Sequence, residues 1–181
     1  LKISVIGNSD KEEPLLFSGA IAMDTFGRIN SGNIDDVNIV DYEAPYSIRT
    51  DYDKLLISFR EQYKSSDIVV IELGDSYRLD EYKKMMTDSA YEEYKGTLIN
   101  RIDSFISNVE NELSKNDSLM VVSPFPSLEN YKEGYRLSPV YILNQNEEGL
   151  GVLTSASTRR DGVISNIDIS AYINNRFELI N

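Results

Sequence analysis

The chain has 181 residues, of which 41% are hydrophobic and 27% are charged, a composition typical of a globular protein with a core. Its net charge of −12 repels nucleic acid phosphates, so we expect no nucleic acid partner. The absence of cysteine and histidine excludes disulfides, thiol nucleophiles, Ser-His-Asp triads and histidine-bound metals. The length predicts a single domain over 1–181, and no apolar run reaches the ~18 residues of a membrane span.

The first third of the sequence predicts short elements followed by one clear helix. Residues 2–6 are typical of a strand that leads into a turn and an acidic loop. Residues 15–29 are apolar around a central turn, which favours a hairpin, and residues 36–41 predict a short strand. A capping box followed by apolar residues at helical spacing predicts a helix over 50–64.

An unbroken apolar run then dominates the pattern. Residues 68–71 are all β-branched, which indicates a strand covered on both faces, as in the centre of a parallel sheet. Gly74 ends this strand and a helix is predicted over 76–86. Asp75 therefore follows the carboxyl end of a central strand, where open α/β sheets place their ligands.

The second half predicts a long helix between two strands. Apolar residues recur at three- and four-residue intervals over 89–115, and we expect this helix to connect two parallel strands, the second at 118–123. Residues 127–137 read as a polar loop. Short strands are predicted at 139–143, 151–154 and 163–164, and a closing helix at 168–177. This order predicts an α/β fold, a three-layer sandwich with a mostly parallel central sheet.

Several of these stretches resemble the alkaline phosphatase superfamily, especially its phosphoglycerate mutase-like and phosphopentomutase-like branch. The sequence Ile-Glu-Leu-Gly-Asp is similar to a family strand that ends in a metal ligand, with Asp75 at the ligand position. The long helix, the strand that ends Val-Val-Ser and the closing strand and helix are also similar. The resemblance covers roughly 66–177. It implies an alkaline-phosphatase-like fold in which the strands that contain Val69 and Val121 are neighbours.

Most metal ligands of that superfamily have no counterpart here. Residues 79–82 replace a Gly-His pair, Pro124 and Phe125 stand where an Asp-His pair is expected, and Tyr135 stands at a histidine position. Two-metal phosphoryl chemistry depends on such ligands. The resemblance therefore implies a metal-free, non-catalytic relative that acts as a binding or interaction domain, with Ser76, Pro124, Phe125 and Tyr135 lining an emptied cleft.

An enzymatic alternative uses carboxylates alone. Asp10 and Asp75 each follow a predicted strand, and together with carbonyl oxygens they would suit Mg²⁺, Ca²⁺ or Mn²⁺ in a hydrolase of phosphate or sulfate esters. The competing interpretation makes Asp75 a helix cap or a turn residue and expects no cofactor. Ser76 is also placed like a nucleophile of SGNH esterases, but the downstream Asp-x-x-His is missing, so capping of the following helix explains it better.

Two basic positions suggest a small anionic ligand. Thr158, Arg159 and Arg160, with two neighbouring serines, would suit a phosphate or a lipid headgroup; the alternative is an exposed turn with one arginine in a salt bridge. Arg49, just before a predicted helix start, is a second candidate. The Ser-Thr-Arg-Arg-x-Gly turn resembles that of relatives beside membrane spans. This likeness implies an extracytoplasmic domain anchored through an adjoining transmembrane segment outside the chain.

Overall fold

The computed structural model describes residues 1–24, 26–144 and 151–178. They belong to two compact units, Leu1–Gln145 and Asn146–Asn181, each of which is described by itself. The first unit has a mixed α/β fold built on a small parallel sheet and its helices. The second contains a turn-rich segment and one helix.

The elements run as follows in chain order. The strands are β1 (Ile3–Asn8), β2 (Ser31–Asn33), β3 (Asn38–Val40), β4 (Ile48–Thr50), β5 (Ile68–Leu73), β6 (Ser118–Val122) and β7 (Val140–Asn144). The helices are α1 (Gly19–Ala22), α2 (Tyr52–Tyr63), α3 (Asp75–Tyr82), α4 (Asp88–Glu112), α5 (Leu128–Lys132) and, in the second unit, α6 (Asn166–Arg176). Single 3₁₀ turns lie at Pro45–Ser47 and Lys83–Met85.

The parallel sheet has the strand order β2-β1-β5, so β1 is its central strand. Val5 and Ile6 of β1 are fully buried, whereas most residues of β5 are half-buried. The prediction that residues 68–71 form the central strand is therefore wrong for this sheet. An apolar run indicates that both faces of a strand are covered, but it does not determine the order of the strands.

β6 pairs antiparallel with β7 and with no other strand in the described ranges. The prediction that α4 connects two neighbouring parallel strands is therefore wrong as well. Leu119 of β6 nevertheless packs against the same core as Val69 and Ile71 of β5. Side-chain packing alone can satisfy an apolar pattern, so the pattern does not name the hydrogen-bonding partner of a strand.

The two long helices confirm the predictions from apolar spacing. The N-cap of α2 is Asp51, whose side chain accepts a hydrogen bond from the Lys54 backbone N–H. The cap therefore lies one residue after Thr50, where the capping box was predicted to begin. Both helices contribute apolar side chains to a buried cluster that includes Ile6 of β1. The central cluster of buried residues is Ile6, Val37, Leu55, Phe59, Phe105 and Val109. None of the helices described is long and apolar enough to cross a bilayer.

Four local predictions are wrong, and all concern short segments. The predicted hairpin over 15–29 contains α1, and the predicted loop over 127–137 contains α5. Residues 151–154 form no strand, and residues 163–164 contribute only one isolated β-bridge. Five or fewer residues complete little more than one helical turn, so their apolar spacing cannot distinguish helix from strand.

Candidate functional site

The predicted site lies where β1 and β5 end side by side. In their parallel register Asn8 is opposite Leu73, so the segments that follow both strands leave the sheet at the same edge. Gly74 joins β5 to α3 and approaches β1 so closely that a Cβ on it would lie 2.2 Å from the Asn8 carbonyl oxygen. This close approach requires glycine and brings Asp75 near Asp10, as the parallel order predicts.

Asp75 is 2% exposed, and both of its carboxylate oxygens accept hydrogen bonds from the protein. Oδ1 accepts from the Thr50 backbone N–H at 3.0 Å and from Arg78 Nη2 at 2.6 Å. Oδ2 accepts from the Tyr52 hydroxyl at 2.9 Å. The residue at the N-cap of α3 is Gly74, so the helix-cap interpretation of Asp75 is wrong. The carboxylate instead fastens α3 to β4 and α2.

Arg78 supplies the cation of this network, and its side chain is fully buried. Its Nη1 donates to the Asp10 backbone carbonyl at 3.0 Å, and its Nη2 donates to the Thr50 hydroxyl at 2.9 Å as well as to Asp75. Only Nε is buried without a partner among the described residues. The guanidinium therefore lies between the two predicted metal ligands. Arg78 was not predicted from the sequence. The feature that could have indicated it is its i, i+3 spacing from Asp75 on one predicted helix.

Tyr52 joins the network to α2. Burial of the phenol, followed by the negative charge of Asp75, raises the pKa of Tyr52 far above its ordinary value. The hydroxyl therefore stays protonated and acts as a hydrogen-bond donor to the carboxylate. The ring of Tyr52 also lies 5.7 Å from that of Phe105 in the core, measured between centroids.

The carboxylates of Asp10 and Asp75 accept hydrogen bonds from the described part of the chain. Asp10 Oδ1 accepts the Leu15 backbone N–H at 2.7 Å, and both oxygens of Asp75 are occupied. Glu72 does not join them, because its Oε2 accepts two hydrogen bonds from Ser18. Within the described ranges no three Asp, Glu, His or Cys residues are grouped so as to hold an ion. Mg²⁺, Ca²⁺ or Mn²⁺ at Asp75 would have to displace a guanidinium, so the donor set does not fit these ions.

Phe125, one of the predicted cleft residues, packs near this edge. Its ring centroid is 5.1 Å from that of Phe17 and 6.4 Å from that of Tyr77. The rings of Phe17 and Tyr77 also contact each other edge-on, with centroids 5.0 Å apart. Tyr77 is two residues beyond Asp75. The tip of β6 therefore lies beside the start of α3, and an aromatic cluster fills the space between them.

Phe125 is itself 43% exposed, and the other predicted cleft residues are exposed as well. Ser76 lies in the first turn of α3 rather than at its cap, and its hydroxyl is 3.4 Å from the Leu73 carbonyl oxygen. Pro124 is exposed, and Tyr135 retains 62% of its accessible surface. A shared cleft for these three residues stays a prediction.

The basic turn of the second unit differs from its predicted arrangement. Ser155 and Ser157, expected beside the arginines, donate their hydroxyl hydrogen bonds to Asp168 at 2.7 and 2.8 Å. Thr158 donates its hydroxyl to the Val163 carbonyl. Arg159 and Arg160 are exposed, and neither forms an ion pair with a described residue. The hydroxyl groups of this turn thus serve the fold, and an anion would meet only the two guanidinium groups.

A cleft of about 650 Å³ lies between the β3–β4 hairpin, α2 and α4, and the sequence analysis did not predict it. Arg49, the second anion candidate, lines it together with Arg101 of α4. The Arg49 Nε donates to Asp41 at 2.9 Å. Arg101 has no ion-pair partner in the part of the chain described, and its Nη1 is buried without a hydrogen bond. A lining residue with unsatisfied donors makes this cleft a second candidate site.

Comparisons of the chain with protein-family models, with curated proteins and with solved structures find no match. The function is therefore argued from the chemistry of the two sites.

Proposed function

We propose that this chain is a non-catalytic, metal-free binding or interaction domain. The observation that carries the proposal is the position of the Arg78 guanidinium, bonded to Asp75 and to the Asp10 carbonyl. A guanidinium there neutralises the buried carboxylate, the role that a metal ion would have in a two-metal enzyme. A divalent ion beside it would face electrostatic repulsion and would lack open ligands.

The carboxylate-only hydrolase is the competing function. It needs Asp10 and Asp75 to be available to an ion, whereas three of their four carboxylate oxygens accept hydrogen bonds from the protein. Ser76 offers no nucleophile for an alternative route, because no base lies within hydrogen-bonding distance of its hydroxyl among the described contacts.

The test combines metal binding with turnover on the purified chain. We expect no stoichiometric Zn²⁺, Mn²⁺, Mg²⁺ or Ca²⁺ by elemental analysis after dialysis against each ion, and no hydrolysis of aryl phosphates or aryl sulfates. Bound metal that is lost in Asp10→Asn but kept in the exposed control Asp35→Asn would contradict the proposal. Turnover that is lost in Asp75→Asn, provided that the variant remains folded, would contradict it equally.

Kinship with the alkaline phosphatase superfamily, including the three-layer sandwich, is part of the same proposal. The chain order of strands and helices supports it, whereas the pairing of β6 with β7 and not with β5 counts against it. Amide exchange decides whether β5 has a second neighbouring strand, as kinship implies, or a free edge. A free edge of β5 leaves alternate N–H groups open to solvent. Protection of every amide from Ile68 to Leu73 would support kinship; alternating protection would oppose it.

We also propose that the domain serves a membrane-associated protein outside the cytoplasm. The support is the resemblance of the Ser-Thr-Arg-Arg-x-Gly turn alone. Fractionation of cells that express the full-length gene product tests it: recovery in the membrane fraction after a carbonate wash supports the proposal, and recovery in the soluble fraction overturns it.

A further inference from the structure

We propose that the cleft between the β3–β4 hairpin, α2 and α4 binds a small hydroxylated molecule that carries one anionic group, such as a sugar phosphate or a sugar acid. The inference names a ligand class for the binding function proposed above and rests on it to that extent. The cleft is nevertheless separate from the predicted metal position, so the two proposals can fail independently.

The anionic group follows from the two arginines. Arg49 and Arg101 share the neighbourhood of a single carboxylate, Asp41, whose pKa is lowered by the hydrogen bond from Arg49 and, to a smaller degree, by the charge of Arg101. Arg49 uses its Nε on Asp41 and its Nη1 on the Thr50 carbonyl, which leaves Nη2 without a described partner. Arg101 leaves Nη1 unpaired. Two guanidinium groups with one carboxylate between them can accept one further anion.

Arg101 also contacts the hydroxyl of Tyr94. Burial, and then the charge of Asp75, raises the pKa of Tyr94, while Arg101 opposes the rise. The guanidinium is thereby held by a neutral group rather than by a carboxylate. Arg101 forms no ion pair with a described residue, whereas Arg78 is paired with Asp75.

The hydroxyl groups of the ligand follow from the rest of the lining. Four polar side chains recur along one face of α4 at intervals of three and four residues: Thr97, Asn100, Ser104 and Asn108. Asp51 and Asp53 line the opposite side from the start of α2, and their carboxylates can only accept hydrogen bonds. Acceptors of this kind select a ligand with several hydroxyl donors at different positions, as a sugar has.

The size and charge of the cleft favour a small monoanion over other ligands. About 650 Å³ falls within the range of ~300–1,000 Å³ typical of small-molecule sites. The lining balances Arg49 and Arg101 against Asp51 and Asp53, and the chain as a whole is strongly acidic, so a polyanion would be repelled. A neutral sugar would leave the Arg101 guanidinium unpaired.

The test is a ¹H–¹⁵N chemical-shift titration of the full chain with glucose 6-phosphate, glucuronate, glucose and inorganic phosphate. We expect saturable shifts at amides of residues 49–53 and 97–108 with one or both of the charged sugars. Binding of the phosphate sugar alone or of the acid sugar alone identifies the anion. Glucose and inorganic phosphate are expected to bind at least about tenfold more weakly, because each lacks one half of the interaction.

Two variants locate the ligand within the cleft. Arg101→Gln is expected to weaken binding of the charged sugar by about tenfold or more, the effect of losing a charged hydrogen bond. Arg28→Gln removes the same charge from an exposed pair with Asp24 outside the cleft, and is expected to leave binding unchanged. Asn100→Ala is expected to weaken the sugar and leave inorganic phosphate unaffected.

Three results would overturn the inference. They are the absence of saturable shifts with any probe, equal weakening by Arg28→Gln and Arg101→Gln, and binding of inorganic phosphate or glucose in the cleft as tight as that of either charged sugar. None of them alters the metal and turnover measurements that test the non-catalytic function.

Discussion

Arg78 and Arg101 are two arginines of the same compact unit with opposite surroundings. Arg78 is fully buried, and its two terminal nitrogens make three hydrogen bonds to Asp10, Thr50 and Asp75. Arg101 is half-buried beside an open cleft, and one of its terminal nitrogens has no acceptor among the described residues. Both arginines leave one buried nitrogen unpaired, Nε in Arg78 and Nη1 in Arg101, but only Arg78 is paired with a carboxylate among the described residues.

The comparison distinguishes a charged side chain that stabilises the fold from one that could bind a ligand. Burial of an ion pair carries a desolvation cost of several kcal/mol per ion, offset only when each group finds close partners. Asp75 and Arg78 meet this condition, so their charges hold β4, α2 and α3 together. Arg101 is only half-buried and has no carboxylate partner among the described residues, and a ligand that reached its buried Nη1 would supply an acceptor that the described chain does not.

The largest expected effect comes from removal of the buried cation. Arg78→Met leaves the Asp75 carboxylate buried without its counter-ion, and should lower the free energy of unfolding by about 3–5 kcal/mol. The measurement is the midpoint of urea unfolding, followed by circular dichroism. A domain of ordinary stability has about 5–15 kcal/mol, so the variant should be close to unfolding at room temperature.

Two further variants keep this test interpretable. Arg60→Met breaks an exposed pair with Glu112 and should cost only about 0.2–1 kcal/mol. The double variant Asp75→Asn with Arg78→Met should lose less than the sum of the single losses, because neither charge is then left alone. A loss below about 1 kcal/mol in Arg78→Met would mean that the buried pair does not hold the fold.

The next largest effect concerns Tyr52, which borders both regions. Tyr52→Phe removes the donor to Asp75 Oδ2 and should cost about 1–3 kcal/mol, the effect of leaving a buried acceptor unpaired. Because folding raises the pKa of Tyr52, its contribution is complete below the unfolded pKa of about 10 and is lost as the pH rises beyond it.

Urea unfolding at a series of pH values measures both effects of Tyr52→Phe. The natural chain should lose stability above pH ~10 more steeply than the variant. Tyr42→Phe is the matched control, since Tyr42 is 88% exposed and should change neither the stability nor its slope with pH. Parallel pH profiles for the natural chain and Tyr52→Phe would exclude the phenol as a buried donor.

The sequence predicted those parts of the fold that depend on local periodicity. Apolar spacing identified α2 and α4, and β-branched runs identified β1 and β5. The parallel order of two strands also placed Asp10 and Asp75 at one edge of the sheet. These predictions succeed because each depends on a pattern within a single segment or on one rule of sheet connection.

The rest depends on which distant segments meet. The network around Arg78 joins Asp10, Thr50 and Asp75, and no period within any one segment reveals that three segments supply its acceptors. The cleft likewise combines a hairpin with two helices. The partner of β6 was mispredicted for the same reason, because an apolar strand packs equally well against side chains or beside another strand.

The third prediction concerns Arg101, the arginine that lines the cleft. Arg101→Gln should lower the free energy of unfolding by only about 0.5–1.5 kcal/mol, since the arginine contacts the neutral Tyr94 hydroxyl and has no ion-pair partner among the described residues. The measurement is again urea unfolding, beside Arg78→Met under the same conditions. A loss comparable with that of Arg78→Met would show that Arg101 is structural and would remove the distinction between the two arginines.

The smallest expected effect is a change of pKa in the second unit, where the Asp168 carboxylate accepts hydrogen bonds and forms no ion pair with a described residue. Hydrogen bonds from Ser155, from the Ser165 backbone and from Ser157 lower the pKa of Asp168 to about 2, from an ordinary value of 3.8. The stabilisation is therefore complete above pH ~4 and is lost as the pH falls towards 2.

Ser155→Ala removes the largest of these contributions, so the pKa of Asp168 should rise towards its ordinary value. The change is measured by carboxyl ¹³C NMR as the pH is lowered, with Ser170→Ala on the same helix as the control. An unchanged pKa in Ser155→Ala would assign the shift to the Ser165 backbone instead. A clear rise would establish that the Ser155 hydroxyl, without an ion pair to a described cation, contributes to the low pKa of Asp168 at the start of α6.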